Sequence, residues 1–441
     1  KNGVNRRIVH PSRTLLQKPW YTRYVRHVRE TASVGAFDPS LLSDCRTALR
    51  MCTNIKSFTW MDDGHDDRHD TELIAYLDIL QELRVQELII RTSSGINAVV
   101  WDRLTEIDGL CKVAIWCLNG QPRVLQGWSE KLGSSLTHLE LGVSCLSRQH
   151  PHFLSQLPLL KALRLKGAPS SSIPELLAVL PNLVVLDTEY FGTGNTRFNE
   201  EPVASLRELT VRTSSVDILG PQMLWPWIQK LIPRPSLETL TLNTFSTSGD
   251  MTMPRRFLLD LAGTHRLTLK HFIIDTVQLT MEELELLCTA FPALESISCS
   301  IAWCDNPDHL GDVIADAHRL RRLKLQVNWL RGPGWVPFGS EHARKWMLRD
   351  NSRLRDVTIG RDMFEVNTVI GIMYLRLMVS KPRANGCASR QKMGDITWNL
   401  KSFVIKLSIH GYEEQKLYAL DGSQYYAILL LRYKSLHSKP S

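Results

Sequence analysis

The densest chemistry in the chain lies at Asp62-Asp63-Gly64-His65-Asp66-Asp67-Arg68-His69-Asp70. Two imidazoles four residues apart share one face of a helix, and interleaved carboxylates could complete a metal site there. Gly64 and the density of Asp argue instead for a loop or a helix start. No Glu follows His65, as a zinc-protease helix requires, and the spacing of a calcium loop is absent. The plainer reading is a solvated loop leading into a helix from Thr71. Gly192-Thr193-Gly194-Asn195 is a second candidate, a glycine pair of the kind that cradles phosphate. Neither a third glycine nor Gly-Lys-Ser/Thr follows, so it reads as a loop at a strand end. Trp225-Pro226-Trp227-Ile228 leaves two readings open, an exposed aromatic anchor for a partner or core beneath a loop. The chain shows no nucleophile elbow, no P-loop and no metal motif of correct spacing. The expectation is therefore no catalytic residue, no cofactor, no metal, and a function other than enzymatic.

The elements around these residues follow a recurring phrase. Leu160-Lys161-Ala162-Leu163-Arg164-Leu165 reads L-x-x-L-x-L, and Leu136–Leu141, Leu206–Val211, Leu237–Leu242 and Leu320–Leu325 repeat it. Its last four residues alternate, which puts the apolar pair on one face of a strand. With other apolar residues allowed at the key positions there are twelve copies. They begin at Ile55, Val85, Leu110, Leu136, Leu160, Leu183, Leu206, Leu237, Leu269, Leu294, Leu320 and Leu354. Most steps between copies lie in or near the roughly 20–29 residues of a leucine-rich repeat, and the longer ones suggest loop insertions. Tyr24–Val28 is a degenerate strand one unit earlier.

Before the strands, apolar residues recur at three and four, the mark of a helical face. Pro174–Leu180 precedes Pro181, and Met281–Cys288 precedes Phe291-Pro292. Thr280 with Glu283 three residues on forms a capping-box pattern, and the proline before each following strand stops the helix. Helix, proline, strand, repeated, predicts an α/β leucine-rich-repeat solenoid, a horseshoe with parallel strands on the concave face and helices on the convex face. One such strand cannot bury its apolar side alone, whereas a stack can.

Domain organisation follows from where the pattern holds. Residues 1–54 are expected to be an N-terminal cap or a linker to an upstream region, with Leu41–Cys52 as a capping helix. Residues 55–365 are the repeat domain, and 366–441 are a basic, irregular C-terminal tail. The net charge of +8 is concentrated in that tail, which holds 11 of the 53 Lys+Arg but 4 of the 45 Asp+Glu. The repeat body is near neutral, so the basic balance says little about a groove for nucleic acid. Nine Cys without a framework spacing fit a reducing compartment, cytoplasmic or nuclear. Cys111, Cys117, Cys288 and Cys299 read as small buried hydrophobes. No apolar run reaches the roughly 18 residues of a membrane span; Thr368–Met378 is short and interrupted by Arg376.

Phe291-Pro292-Ala293-Leu294-Glu295, Pro233–Glu238 and Ser205–Leu209 resemble the repeats of fungal F-box/leucine-rich-repeat proteins. That resemblance, over roughly residues 20–365, implies a substrate-recognition role in a cullin ubiquitin ligase, with a Skp-type adaptor bound by an N-terminal F-box. No F-box pattern is present in this chain, so the adaptor is expected as a partner only if an F-box lies upstream. The ninth repeat position, where Asn or Cys caps the turn, is instead Ser144, Ala168, Phe191, Ser214, Phe245 and Ala302, with Asn328 the exception. This departs from an evenly curved horseshoe.

Residues that alternate with the core positions point out of the strand face. The candidate partner-binding residues are His138, Glu140, Arg164, Lys166, Asp187, Glu189, Glu208, Arg212, Arg322, Lys324 and Asp356. Charges of both signs in blocks suit a protein partner with complementary patches better than a polyanion. The expected function is a protein–protein interaction scaffold, with a protein substrate on the concave face and neither membrane nor nucleic acid as partner. The alternatives are nucleic-acid binding through the basic tail and a truncated copy without a retained role.

Overall fold

The computed structural model describes residues 10–31, 39–62, 69–93, 95–117, 127–142, 153–192, 204–213, 220–244, 252–330, 335–369, 372–379, 404–407, 416–421 and 424–429. Thirteen strands form its spine. They are β1 (Val25–Thr31), β2 (Ser57–Asp62), β3 (Glu87–Thr92), β4 (Lys112–Trp116), β5 (His138–Gly142), β6 (Ala162–Lys166) and β7 (Val185–Tyr190). They continue as β8 (Glu208–Thr213), β9 (Thr239–Thr244), β10 (His271–Leu279), β11 (Ser296–Cys304), β12 (Arg322–Trp329) and β13 (Asp356–Ile359). They lie in sequence order in one sheet, each parallel to the next. β14 (Asp362–Val369) and β15 (Ile372–Val379) then add antiparallel strands beyond β13.

The twelve phrases of the sequence are β2–β13, and the degenerate phrase is β1. Register explains why. Phe58, Leu88, Val113, Leu139, Leu163, Leu186, Leu209, Leu240, Phe272, Ile297, Leu323 and Val357 meet side by side. None of them is more than 2% exposed. The apolar residue that opens each phrase is buried too, from Leu110 at 0% to Ile55 at 5%. Its neighbour supplies the backbone joint between repeats. The Lys161 carbonyl accepts from the amides of Val184 and Val185 at 2.8 and 2.9 Å, and the same double bond recurs from Lys56 to Arg321. Burying an extended apolar side chain contributes about 1.5–3 kcal/mol, but only when the next repeat covers it.

Helices fill the crossovers between parallel strands. Pro39–Arg50, His69–Leu83, Ile173–Val179, Gly220–Leu231, Arg255–His265, Met281–Ala290, Pro307–Ile314 and Ser340–Met347 are the principal ones. Their buried faces join the inward strand residues in one core. The capping box is present as the sequence predicts: the Glu283 amide donates to Thr280 Oγ1 at 3.3 Å and the Thr280 amide donates to Glu283 Oε2 at 2.8 Å. Leu41–Cys52 falls largely on the helix Pro39–Arg50, which packs against Pro11–Gln17 at the start of the stack. No helix of the described residues is long and apolar enough to cross a membrane.

Trp225 and Trp227 are core, 4% and 1% exposed. Trp225 packs on Phe257 with ring centroids 4.8 Å apart, and Trp227 Nε1 donates to the Ser170 carbonyl at 3.1 Å. The anchor reading of that motif is therefore set aside. Cys117, Cys288 and Cys299 are buried, and Cys111 is half-buried. At the ninth position Ala168 is buried and Asn328 is exposed, while Ser144, Ser214 and Phe245 lie outside the described residues. Where Phe191 stands, the turn is held differently: its amide donates to the Ser170 hydroxyl of the preceding repeat at 3.0 Å. A neighbour's serine does the work of the missing asparagine.

Candidate functional site

Alternation along each strand and register between strands sort the outward side chains into three lanes that run across the sheet. The first contains Lys112, His138, Ala162, Val185, Glu208, Thr239, His271, Ser296, Arg322 and Asp356. The middle lane runs Ala114, Glu140, Arg164, Asp187, Thr210, Thr241, Ile273, Ser298, Lys324 and Thr358. The third carries Trp116, Gly142 and Lys166, then Glu189, Arg212 and Asn243. All eleven candidate residues lie in these lanes, but their situations differ.

Four of them form one ladder. Arg164 reaches Glu140 at 3.6 Å on one side and Asp187 at 3.1 Å on the other, and Arg212 closes on Asp187 from β8. Their side chains are 15–33% exposed. Burial raises the pKa of Asp187, while Arg212 and Arg164 pull it down. The two guanidiniums thus offset part of the desolvation of a half-buried carboxylate, and burial prevails. Glu189 is buried and accepts the Gly167 amide at 2.8 Å. His138, Lys166 and Glu208 stand exposed beside this core, Arg322 and Lys324 are exposed on β12, four strands beyond β8, and Asp356 is half-buried at the far end.

Trp116 is part of the ladder, although the strand alternation alone does not single it out. The Arg164 guanidinium lies 4.6 Å from its ring centroid and that of Arg91 5.9 Å, while Trp116 Nε1 donates to Glu140 Oε2 at 3.4 Å. A cation over an indole face is attracted by the ring quadrupole. Gly142 on β5 makes the room: a Cβ there would fall 1.8 Å from the Trp116 ring. What marks it is its place in the repeat phrase, the same as that of Lys166 and Arg212.

The other chemical candidates do not assemble. His65 and the Gly-Thr-Gly-Asn segment from Thr193 lie outside the described residues. His69 opens the helix His69–Leu83. Among the described residues no group of three or more His, Cys, Asp or Glu could hold a metal ion. Among the described residues the one deeply buried histidine, His265, is satisfied by backbone. Its Nε2 donates to the Ile232 carbonyl at 3.0 Å and its Nδ1 accepts the Leu237 amide at 3.3 Å. Burial lowers its pKa, so the neutral ring is the form that the site holds.

No family model matches the chain, and the search of curated proteins returns no match. Solved structures similar to it include Rad7 in the yeast complex of Rad7 and Elc1. That chain is 14% identical at a TM-score of 0.44, over 69% of this chain and 79% of the other. An internalin, inlF, from Listeria monocytogenes is 14% identical at a TM-score of 0.35, over 64% and 70%. TLR13 in its complex with ssRNA13 is 12% identical at a TM-score of 0.38, over 71% and 47%. On the strand order, register and lanes described above, the chain is an α/β leucine-rich-repeat solenoid.

Proposed function

We propose that this chain is a non-enzymatic protein-interaction scaffold that receives a protein partner on its strand face, in the manner of the substrate-recognition repeats of an F-box ubiquitin-ligase subunit. The observation that carries the reading is the three-lane face, in which a half-buried ladder from Trp116 to Arg212 is ringed by exposed charges of both signs. Groups already fixed by their neighbours lose little freedom on binding, which lowers the cost of association. The exposed groups around them supply charge complementarity, which sets partner choice and approach rate. A mixture of signs favours a protein over a polyanion. A Skp-type adaptor enters this scheme only if an F-box lies upstream of the repeats, and the compartment that suits it is the cytoplasm or nucleus.

The test is affinity capture from cell extract by the chain, by K166E/E208K on the strand face and by L259S on the exposed helix side. A defined set of proteins should be retained by the chain and by L259S and reduced about tenfold by K166E/E208K. Capture that ignores the strand face and follows Leu259 would overturn the reading.

A further inference from the structure

Strands β11–β13 carry a second set of features that the central ladder does not use. At the strand starts, Arg319 and Arg321 flank the buried Leu320, and Arg353 and Arg355 flank the buried Leu354. The Arg355 amide donates to the Arg321 carbonyl at 2.8 Å, so the two Arg-Leu-Arg segments stack in register. Arg322 follows in the first lane, and all five arginines are exposed. Among the described residues none of the five forms an ion pair, although Glu295, Asp316, Asp350 and Asp356 are close in sequence or register. Like charges side by side on neighbouring strands, roughly 4.8 Å apart, work against folding. Arginine also presents a planar fork matched to a carboxylate, which lysine does not.

The other end of the same strands is apolar. Register shifts between Ile301 and Cys304, so β11 carries one extra residue against β12. Ile301 and Cys304 stay buried while Trp303 is 63% exposed. A bulge re-aims a side chain, and this one turns an indole to solvent. The Leu330 amide donates to the Cys304 carbonyl at 2.8 Å, which sets Leu330, 49% exposed, beside it. Between the two ends the lanes hold Ser296, Ser298, Ser300, Gln326 and Thr358, with Lys324 the single charge.

We infer that β11–β13 form a docking strip for an extended acidic peptide of a protein partner. Its carboxylates meet the arginines at the strand starts and one bulky apolar side chain packs on Trp303 and Leu330. The distance from Arg322 to Leu330 along the strand is roughly 26 Å, the span of about eight extended residues. The inference rests on the strand face being the binding face and names the chemistry that part of it selects. A single-stranded nucleic acid would need cationic groups along its whole track. Here the five arginines cluster at one end, Lys324 alone lies between, and the other end is apolar, so the peptide is the better fit.

The test uses the full chain and a fluorescein-labelled synthetic peptide, read by anisotropy. The peptide has three glutamates at one end and a Leu-Phe pair about six residues away, and is made in both chain directions. One direction should bind. R321Q/R355Q and W303S should each weaken it about tenfold, and so should placing the glutamates next to the Leu-Phe pair. L259S, on the exposed helix side, should leave it unchanged. Absence of binding in both directions, or equal binding by both variants, overturns the strip. So does an oligothymidylate that binds as tightly and responds to the same variants. Loss of the peptide with partner capture still dependent on Lys166 and Glu208 removes the strip alone. Capture that follows Leu259 instead removes the strand-face reading itself.

Discussion

Glu30 occupies a core position of β1, beside Trp60 in register, and is 1% exposed. Tyr76 donates its hydroxyl proton to Glu30 Oε2 at 3.1 Å, and Phe58 and Trp60 pack on the Tyr76 ring. Burial pushes the Glu30 carboxyl up to about 8, Glu72 adds to the rise, and the Tyr76 hydrogen bond and Arg46 oppose it. A carboxyl whose pKa is higher folded than unfolded binds more protons in the folded state across that interval, so stability falls as pH rises from about 4.5 to about 8. E30Q keeps the shape and removes the proton. Its unfolding midpoint should match that of the natural chain at pH 4 and exceed it by about 3 °C or more at pH 8, read by circular dichroism. An unchanged gap between the two pH values would show that Glu30 is ionised in the folded chain. Nothing in the sequence marks Glu30, because β1 departs from the repeat phrase and its register is set by β2 on one side and by the antiparallel strand Val404–Leu407 on the other. His265 was equally unmarked: its role depends on backbone groups of the preceding repeat, which no local pattern reveals.

At the level of elements, strands were legible because each phrase must alternate to bury two side chains, and caps because Thr280 and Glu283 act within one turn. Contacts between repeats were not. The pairing of Arg164 with two acids depends on lanes that only register creates, and the turn at Phe191 depends on Ser170 twenty-one residues earlier. Gly142 is the clearest case, a small residue in a strand whose reason lies on the strand before it. G142A should force Trp116 off its seat and cost about 1–3 kcal/mol of stability, measured by denaturant unfolding. An unperturbed midpoint would mean that the Trp116 ring does not rest on β5.

For the whole molecule, summing charge over the repeat body concealed its arrangement. Residues 1–365 are close to neutral, yet the structure separates a mutually paired ladder on β5–β8 from arginines clustered at the start of β12 and β13. A solenoid permits this because each repeat contacts only its neighbours, so distant repeats can carry different chemistry without disturbing the shared spine. The same logic makes one face available along its length. The most direct measurement places a photo-crosslinking amino acid at Thr210, in the middle lane, or at Leu259, on the exposed side of the helix Arg255–His265. The account predicts a discrete protein adduct from Thr210 and none from Leu259; adducts from Leu259 with none from Thr210 would contradict it.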